Sequence, residues 1–203
     1  MDFRAVNLLG SIKSRSHEFR SWEPNDDNGR IFNVKSRIFR VALARASGHF
    51  CAMPTASLDT QFGPLCVTEE DGAIVSLDWR HAPRQDDTTL LKRALDQLAA
   101  YDAGILDSFD LPLRVAGTEF QRAVCAAMSA IPMGETRTYG EIAKKLDAMP
   151  QAVGQACGGN PIPVIIPCHR VMGAKGLTGF SGAGGVETKV ALLRHEKAGG
   201  FLI

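Results

Sequence analysis

Three prolines in the stretch NPIPVIIPCHRVMG, residues 160–173, constrain this chain more than any other feature. Pro161, Pro163 and Pro167 each fix φ and withhold a backbone N–H, and Pro167 also steers Ile166 away from the helical region. The apolar run they punctuate therefore has to turn, and the turn presents Cys168 at a rigid corner with His169 beside it. A cysteine buried for packing needs no such corner. A thiol presented as a nucleophile does.

The nucleophile is the thiolate, and an unperturbed pKa of about 8.5 leaves only a few per cent ionised at neutral pH. A nearby imidazole is the usual remedy. Neighbours in sequence rarely touch side chain to side chain, so His169 is expected to act through a bridging water or a backbone bend. The competing reading of an isolated Cys–His pair is a core cysteine beside an unrelated histidine, and the proline flanks weigh against it. Glu196, in LLRHE, is a candidate to orient the histidine; the alternative, a solvated carboxylate on the last helix, is the one the sequence alone favours. Asn160, before Pro161, is a turn former or an amide beside the thiol. Tyr139 is a core residue at a helix start or a phenol donor. Cys125 lies on an apolar helix face and reads as core. Cys51, Cys66 and Cys157 share no ligand spacing with the five histidines, so neither a metal nor another cofactor is expected.

With 203 residues, the chain is long enough for one domain or two small ones around a real core. Its 45% hydrophobic and 22% charged content is that of a soluble globular protein. No apolar run reaches membrane-span length and no signal-peptide pattern opens the chain, so no membrane partner is expected. Five cysteines without CxxC spacing suggest neither a disulfide scaffold nor a zinc cage, which makes the reducing cytoplasm the default. The net charge of +1 hides an asymmetry: residues 1–50 carry nine Lys/Arg against five Asp/Glu, and the remainder 14 against 17. Charge alone therefore does not announce a nucleic-acid binder.

Residues 1–50 read as a basic, turn-rich segment, with three readings: a flexible arm, an extension upstream of the true start, or a targeting segment, the last the least favoured. Met53 opens a plausible first strand. The stretch from Leu58 to Arg80 gives two alternating runs around EEDG, a hairpin signal. Apolar residues at Leu91, Ala94, Leu95 and Leu98 predict a helix ending at Gly104. An extended FDLPLRVAG follows, so a small α/β domain is expected over residues 53–113. Residues 114–203 read as a mostly helical domain. Thr118 caps TEFQRAVCAAMSAI, TYGEIAKKL and PQAVGQACGG form two short helices with Pro150 opening the second, and VETKVALLRHEKAG is the last helix. Two short helices across a tight connection is the helix-turn-helix outline.

FQRAV, IPMGETRTYGEIA, NPIPVIIPCHRV, GLTGF and KVALLRHE, in that order over residues 118–196, resemble the 6-O-alkylguanine-DNA alkyltransferases. The resemblance implies an α/β N-terminal domain and a mostly α C-terminal domain carrying a helix-turn-helix and a PCHR active-site loop. It implies a monomer that binds double- or single-stranded DNA containing alkylated guanine, flips the base and transfers the alkyl group to Cys168 once. In that scheme His169 takes the thiol proton through water, Glu196 holds His169, Tyr139 protonates the leaving guanine and Asn160 positions the thiol or the tautomer. The Val171 carbonyl and the Ser181 N–H read the base, with Phe180 and Cys157 lining its pocket. Thr138, Gln151, Ala152, Gly154 and Arg170 contact DNA in the minor groove. Three departures from the family pattern stand out: Gln151 occupies the place of an intercalating arginine, Phe180 that of a tyrosine, and the segment between Tyr139 and Cys168 is shorter than usual. A lesion-recognition protein without repair is a second reading, opposed by the presence of Cys168. A Cys–His hydrolase is a third, for which no oxyanion-hole motif is visible.

Overall fold

Three strands, β1 (Thr55–Thr60), β2 (Gly63–Glu70) and β3 (Ala73–Asp78), form an antiparallel sheet in the order β1-β2-β3 in the computed structural model, which describes residues 53–198. The expected arm or extension over residues 1–50 lies outside the described residues. Asp71 and Gly72 both adopt positive φ between β2 and β3, as the primed hairpin turns require. The expected hairpin is therefore present. A further turn at Gln61–Phe62 divides the stretch before it into β1 and β2, a division the alternation did not reveal.

The helix α1 (Thr89–Asp102) covers the sheet with Leu91, Ala94, Leu98 and Tyr101, all buried. Thr88 caps it, accepting from Leu91 N at 3.0 Å. The stretch read as extended is partly recruited to the sheet: Leu113 bridges Ile74 in parallel, with Ile74 N donating to Pro112 O and Arg114 N to Ile74 O.

Past residue 114 the architecture becomes helical. The elements are α2 (Glu119–Ser129), capped by Thr118; the short strand β4 (Arg137–Thr138); α3 (Tyr139–Lys145) and α4 (Pro150–Gly158), joined by residues 146–149; the short strand β5 (Val171–Met172); and α5 (Val186–His195). Thr138 and Glu141 close a capping box on α3, and Pro150 takes the first turn of α4. The change at 113–114 is one of architecture, not a break between cores. Residues 53–198 cluster as one unit, and one apolar core holds Leu65, Ile74 and Leu98 together with Met128, Val153, Ile166 and Leu192.

This continuity positions the proline-punctuated loop. Leu77 N, on β3, donates to Pro161 O at 2.9 Å, and Ile166 N closes a turn on Ile162 O at 2.8 Å. Val164, at the tip of that turn and buried, has φ of 72°, a conformation costly for a β-branched residue. On the other side, β4 pairs in parallel with β5, Arg137 opposite Val171 and Thr138 opposite Met172. The start of α3, and with it Tyr139, is thereby fixed beside the strand that leaves Cys168–Arg170.

Candidate active site

Cys168, His169 and Arg170 form one 3₁₀ turn, entered from Pro167 with Cys168 N donating to Ile166 O at 2.8 Å. The thiol is nearly enclosed, with 5% of Cys168 exposed. Burial pushes its pKa up, opposed by hydrogen bonding from Asn160, the Lys189 charge, and the backbone N–H groups of Cys168 and His169. The resting group is a thiol, so reaction requires a proton acceptor.

His169 is the next residue of the turn. Its ring is fully buried and lies 2.7 Å, through Nε2, from Glu196 Oε1, while Nδ1 has no partner. Burial lowers the imidazole pKa, opposed by the Glu196 hydrogen bond and charge. The ring is thus neutral, with Nε2–H donating to Glu196 and Nδ1 left as an acceptor. Glu196 caps the C-terminus of α5 and is buried, unlike the solvated carboxylate the sequence alone favoured. It accepts from Arg170 Nε at 2.8 Å and Nη2 at 2.9 Å, and from Tyr101 Oη at 2.8 Å. Burial alone raises its pKa, but the hydrogen bonds from His169 and Arg170, with the Arg170 charge, outweigh it and hold the carboxyl at about 2.

Arg170, expected at the DNA, is instead internal. Its side chain is spent on Glu196 and, through Nη1, on Ile131 O at 2.5 Å. The correction has a simple cause: an ionised carboxylate in the core needs a buried cation.

Asn160 ties the loop together and reaches the thiol. Its Nδ2 donates to Ile166 O at 2.8 Å and its Oδ1 accepts from Ile162 N at 3.1 Å. Lys189, not singled out by sequence reasoning, is buried on α5 and donates to Val171 O at 2.6 Å, occupying one lone pair of the carbonyl expected to read the base. The available signal was its place in the register, three residues before the buried Leu192. Tyr101 was likewise missed, although it follows Leu98 by one helical step.

The remaining expected residues fall around this network. Tyr139 is half-buried, and its hydroxyl accepts from Thr178 Oγ1 at 3.2 Å. Phe180 lies edge-on to Trp79, ring centroids 5.9 Å apart, and Ser181 is exposed beside it. Gly182 has no room for a methyl group against Phe180 and Trp79. Ser181, Asn160, Pro163 and Trp79 line a cleft of about 530 Å³. Cys157 is buried, its thiol raised to about 12 by burial and by the neighbouring Cys168 and Cys125 thiols. Gln151 is exposed in the first turn of α4, Ala152 and Gly154 are half-buried on the same helix, and Thr138 is engaged in the cap of α3. Among the described residues no cluster of His, Cys, Asp and Glu is arranged to hold a metal ion, and no helix is long and apolar enough to cross a membrane.

A small sheet joined through one core to short helices, with a buried His169–Glu196–Arg170 network beside Cys168 in a proline-fixed turn, defines an α/β protein built around an enclosed thiol. Residues 119–198 match the family described as 6-O-methylguanine DNA methyltransferase, DNA binding domain. The methylated-DNA–protein-cysteine methyltransferase of Mycobacterium tuberculosis strain H37Rv is 43% identical over 152 residues, covering 70% of this chain and 91% of that protein. Its namesake in Methanosarcina acetivorans is 40% identical over 152 residues, 70% of this chain and 96% of that protein. Among solved structures, Mycobacterium tuberculosis OGT in complex with DNA is similar with a TM-score of 0.64 and 42% identity, over 73% of this chain and 96% of that one. The chain belongs to the methylated-DNA–protein-cysteine methyltransferase family.

Proposed function

We propose that this chain repairs DNA by moving an alkyl group, methyl in the simplest case, from the 6-oxygen of guanine to Cys168 Sγ. The C–O bond breaks as the C–S bond forms. The thiol proton passes through water to His169 Nδ1, and Tyr139 gives a proton to a ring nitrogen of the departing guanine. The thioether has no ready leaving group, so each molecule acts once. The observation that carries this reading is the buried, unpartnered His169 Nδ1 on a ring whose other nitrogen is held by Glu196. It is an acceptor with its tautomer already chosen.

In this reading α3 and α4 work as a helix-turn-helix that lays α4 along the minor groove. Ala152 and Gly154 let the helix approach closely, Thr138 contributes at the start of α3, and Gln151 enters the space vacated by the flipped base. Ser181 N–H and Val171 O read the base edge, between Phe180 and Cys157. The protein acts as a cytoplasmic monomer and needs no cofactor.

Mixing the protein with an oligonucleotide carrying 6-O-methylguanine should add one methyl group per molecule, mapped to Cys168, and Cys168→Ala should abolish the gain. Repeated turnover would point to the hydrolase reading. Tight lesion binding without mass gain would point to recognition without repair.

A further inference from the structure

Glu196 holds more than the histidine. One of its oxygens, Oε1, takes three donors, His169 Nε2, Arg170 Nη2 and Tyr101 Oη, while Oε2 takes Arg170 Nε. A carboxylate has about four acceptor sites, so this one is full. Three of the four donors come from the Cys168–Arg170 turn. The fourth comes from α1, 95 residues away in sequence.

Tyr101 is not a core aromatic whose hydroxyl found a partner by chance. Its ring is wedged between Phe62, Phe109 and the His195 ring, and its own carbonyl lies 2.7 Å from His195 Nε2. Both the ring plane and the backbone are therefore set before the hydroxyl reaches Glu196. Because the carboxylate is ionised, the phenol must donate.

We propose that Tyr101 is a positioning residue for the alkyl transfer: its hydroxyl shares Glu196 Oε1 with His169 Nε2–H, and so sets how strongly the carboxylate pulls on the imidazole and how basic Nδ1 is. The proposal rests on the function proposed above. The groups that face the pair are Arg170 on the same turn, Lys189 and His195 on α5, and Asp102 next to Tyr101. A phenol withdrawn from Oε1 leaves more negative charge for His169, so the imidazole holds a proton to higher pH and accepts less readily from the thiol at low pH.

Two versions of the full chain test this in opposite directions. Tyr101→Phe removes the hydroxyl and keeps the ring. Replacement of both tyrosines, Tyr101 and Tyr139, by 3-fluorotyrosine makes the phenol a stronger donor without changing its shape. The direct readout is the His169 Nε2–H proton resonance, which is independent of alkyl transfer. It should move downfield in Tyr101→Phe and upfield with fluorotyrosine. The acid limb of single-turnover transfer to Cys168 should move up by about half a pH unit in Tyr101→Phe, the size expected for one hydrogen bond to a charged network. A resonance that stays put in both proteins overturns the proposal and makes Tyr101 a packing residue. If Tyr101→Phe does not fold, the fluorotyrosine protein decides alone. Opposite shifts of the resonance in a protein that never alkylates Cys168 would leave the coupling standing and sink the functional reading instead.

Discussion

Arg170 and Glu196 show how a buried carboxylate is kept charged inside a core. Removing the guanidinium leaves an ionised group with His169 and Tyr101 as its remaining donors among the described residues, and breaking such a buried pair costs about 3–5 kcal/mol. Arg170→Ala should therefore lower stability by that amount in urea denaturation, with no change in the salt slope of DNA binding, since the residue does not reach the phosphates. Arg170→Lys should recover only part of it, because an ammonium cannot span Glu196 and Ile131 O as the planar fork does. A full-length loss of DNA affinity at unchanged stability would restore Arg170 to the interface. The turn at Cys168 and His169 was legible in the sequence because proline chemistry is local. The burial of Glu196, the reach of Tyr101 and the place of Lys189 were not, since each depends on contacts made across the fold.

The same division holds for the secondary structure. The cap at Thr118, the Pro150 start of α4 and the Asp71–Gly72 turn were readable, because each is satisfied within a few residues; the capping box of Thr138 and Glu141 was not singled out. The separation of β1 from β2 was not, because Gln61 and Phe62 carry no strong turn signature and their turn is held by Asp102, which accepts from Gln61 N at 3.1 Å. On α4 the exposed first-turn residue is a glutamine, and base extrusion from a duplex costs a few kcal/mol. An inserted arginine offsets more of that cost than a shorter neutral amide. Gln151→Arg should raise the single-turnover rate on duplex DNA by about tenfold, the effect of roughly 1.4 kcal/mol, and leave the rate on free 6-O-benzylguanine unchanged. Equal gains on both substrates would place Gln151 at the pocket rather than the groove.

Across the whole molecule, the buried network ties stability to pH. His169 and Glu196 both have pKa values below their ordinary ones, so the unfolded chain takes up protons that the folded chain refuses. Their contribution is complete above about 6.5 and is lost as pH falls, first through the histidine and then, below about 4.5, through the carboxylate. Denaturation midpoints should be flat from pH 7 to 8, decline below 6.5 and fall more steeply below 4.5. A midpoint that rises on acidification would mean that His169 is protonated in the folded state.

The burial of Cys168 within the core shared by sheet and helices has a further consequence. For an ordinary enzyme, an excursion to the unfolded state is time lost, and activity returns on refolding. A protein whose reacting thiol is, as proposed for Cys168, both tool and consumable has no such reprieve, because a thiol oxidised while exposed is a molecule withdrawn from service. How long the sheet and α1 keep the core closed therefore fixes how many lesions a given stock of protein can still answer after hours of waiting.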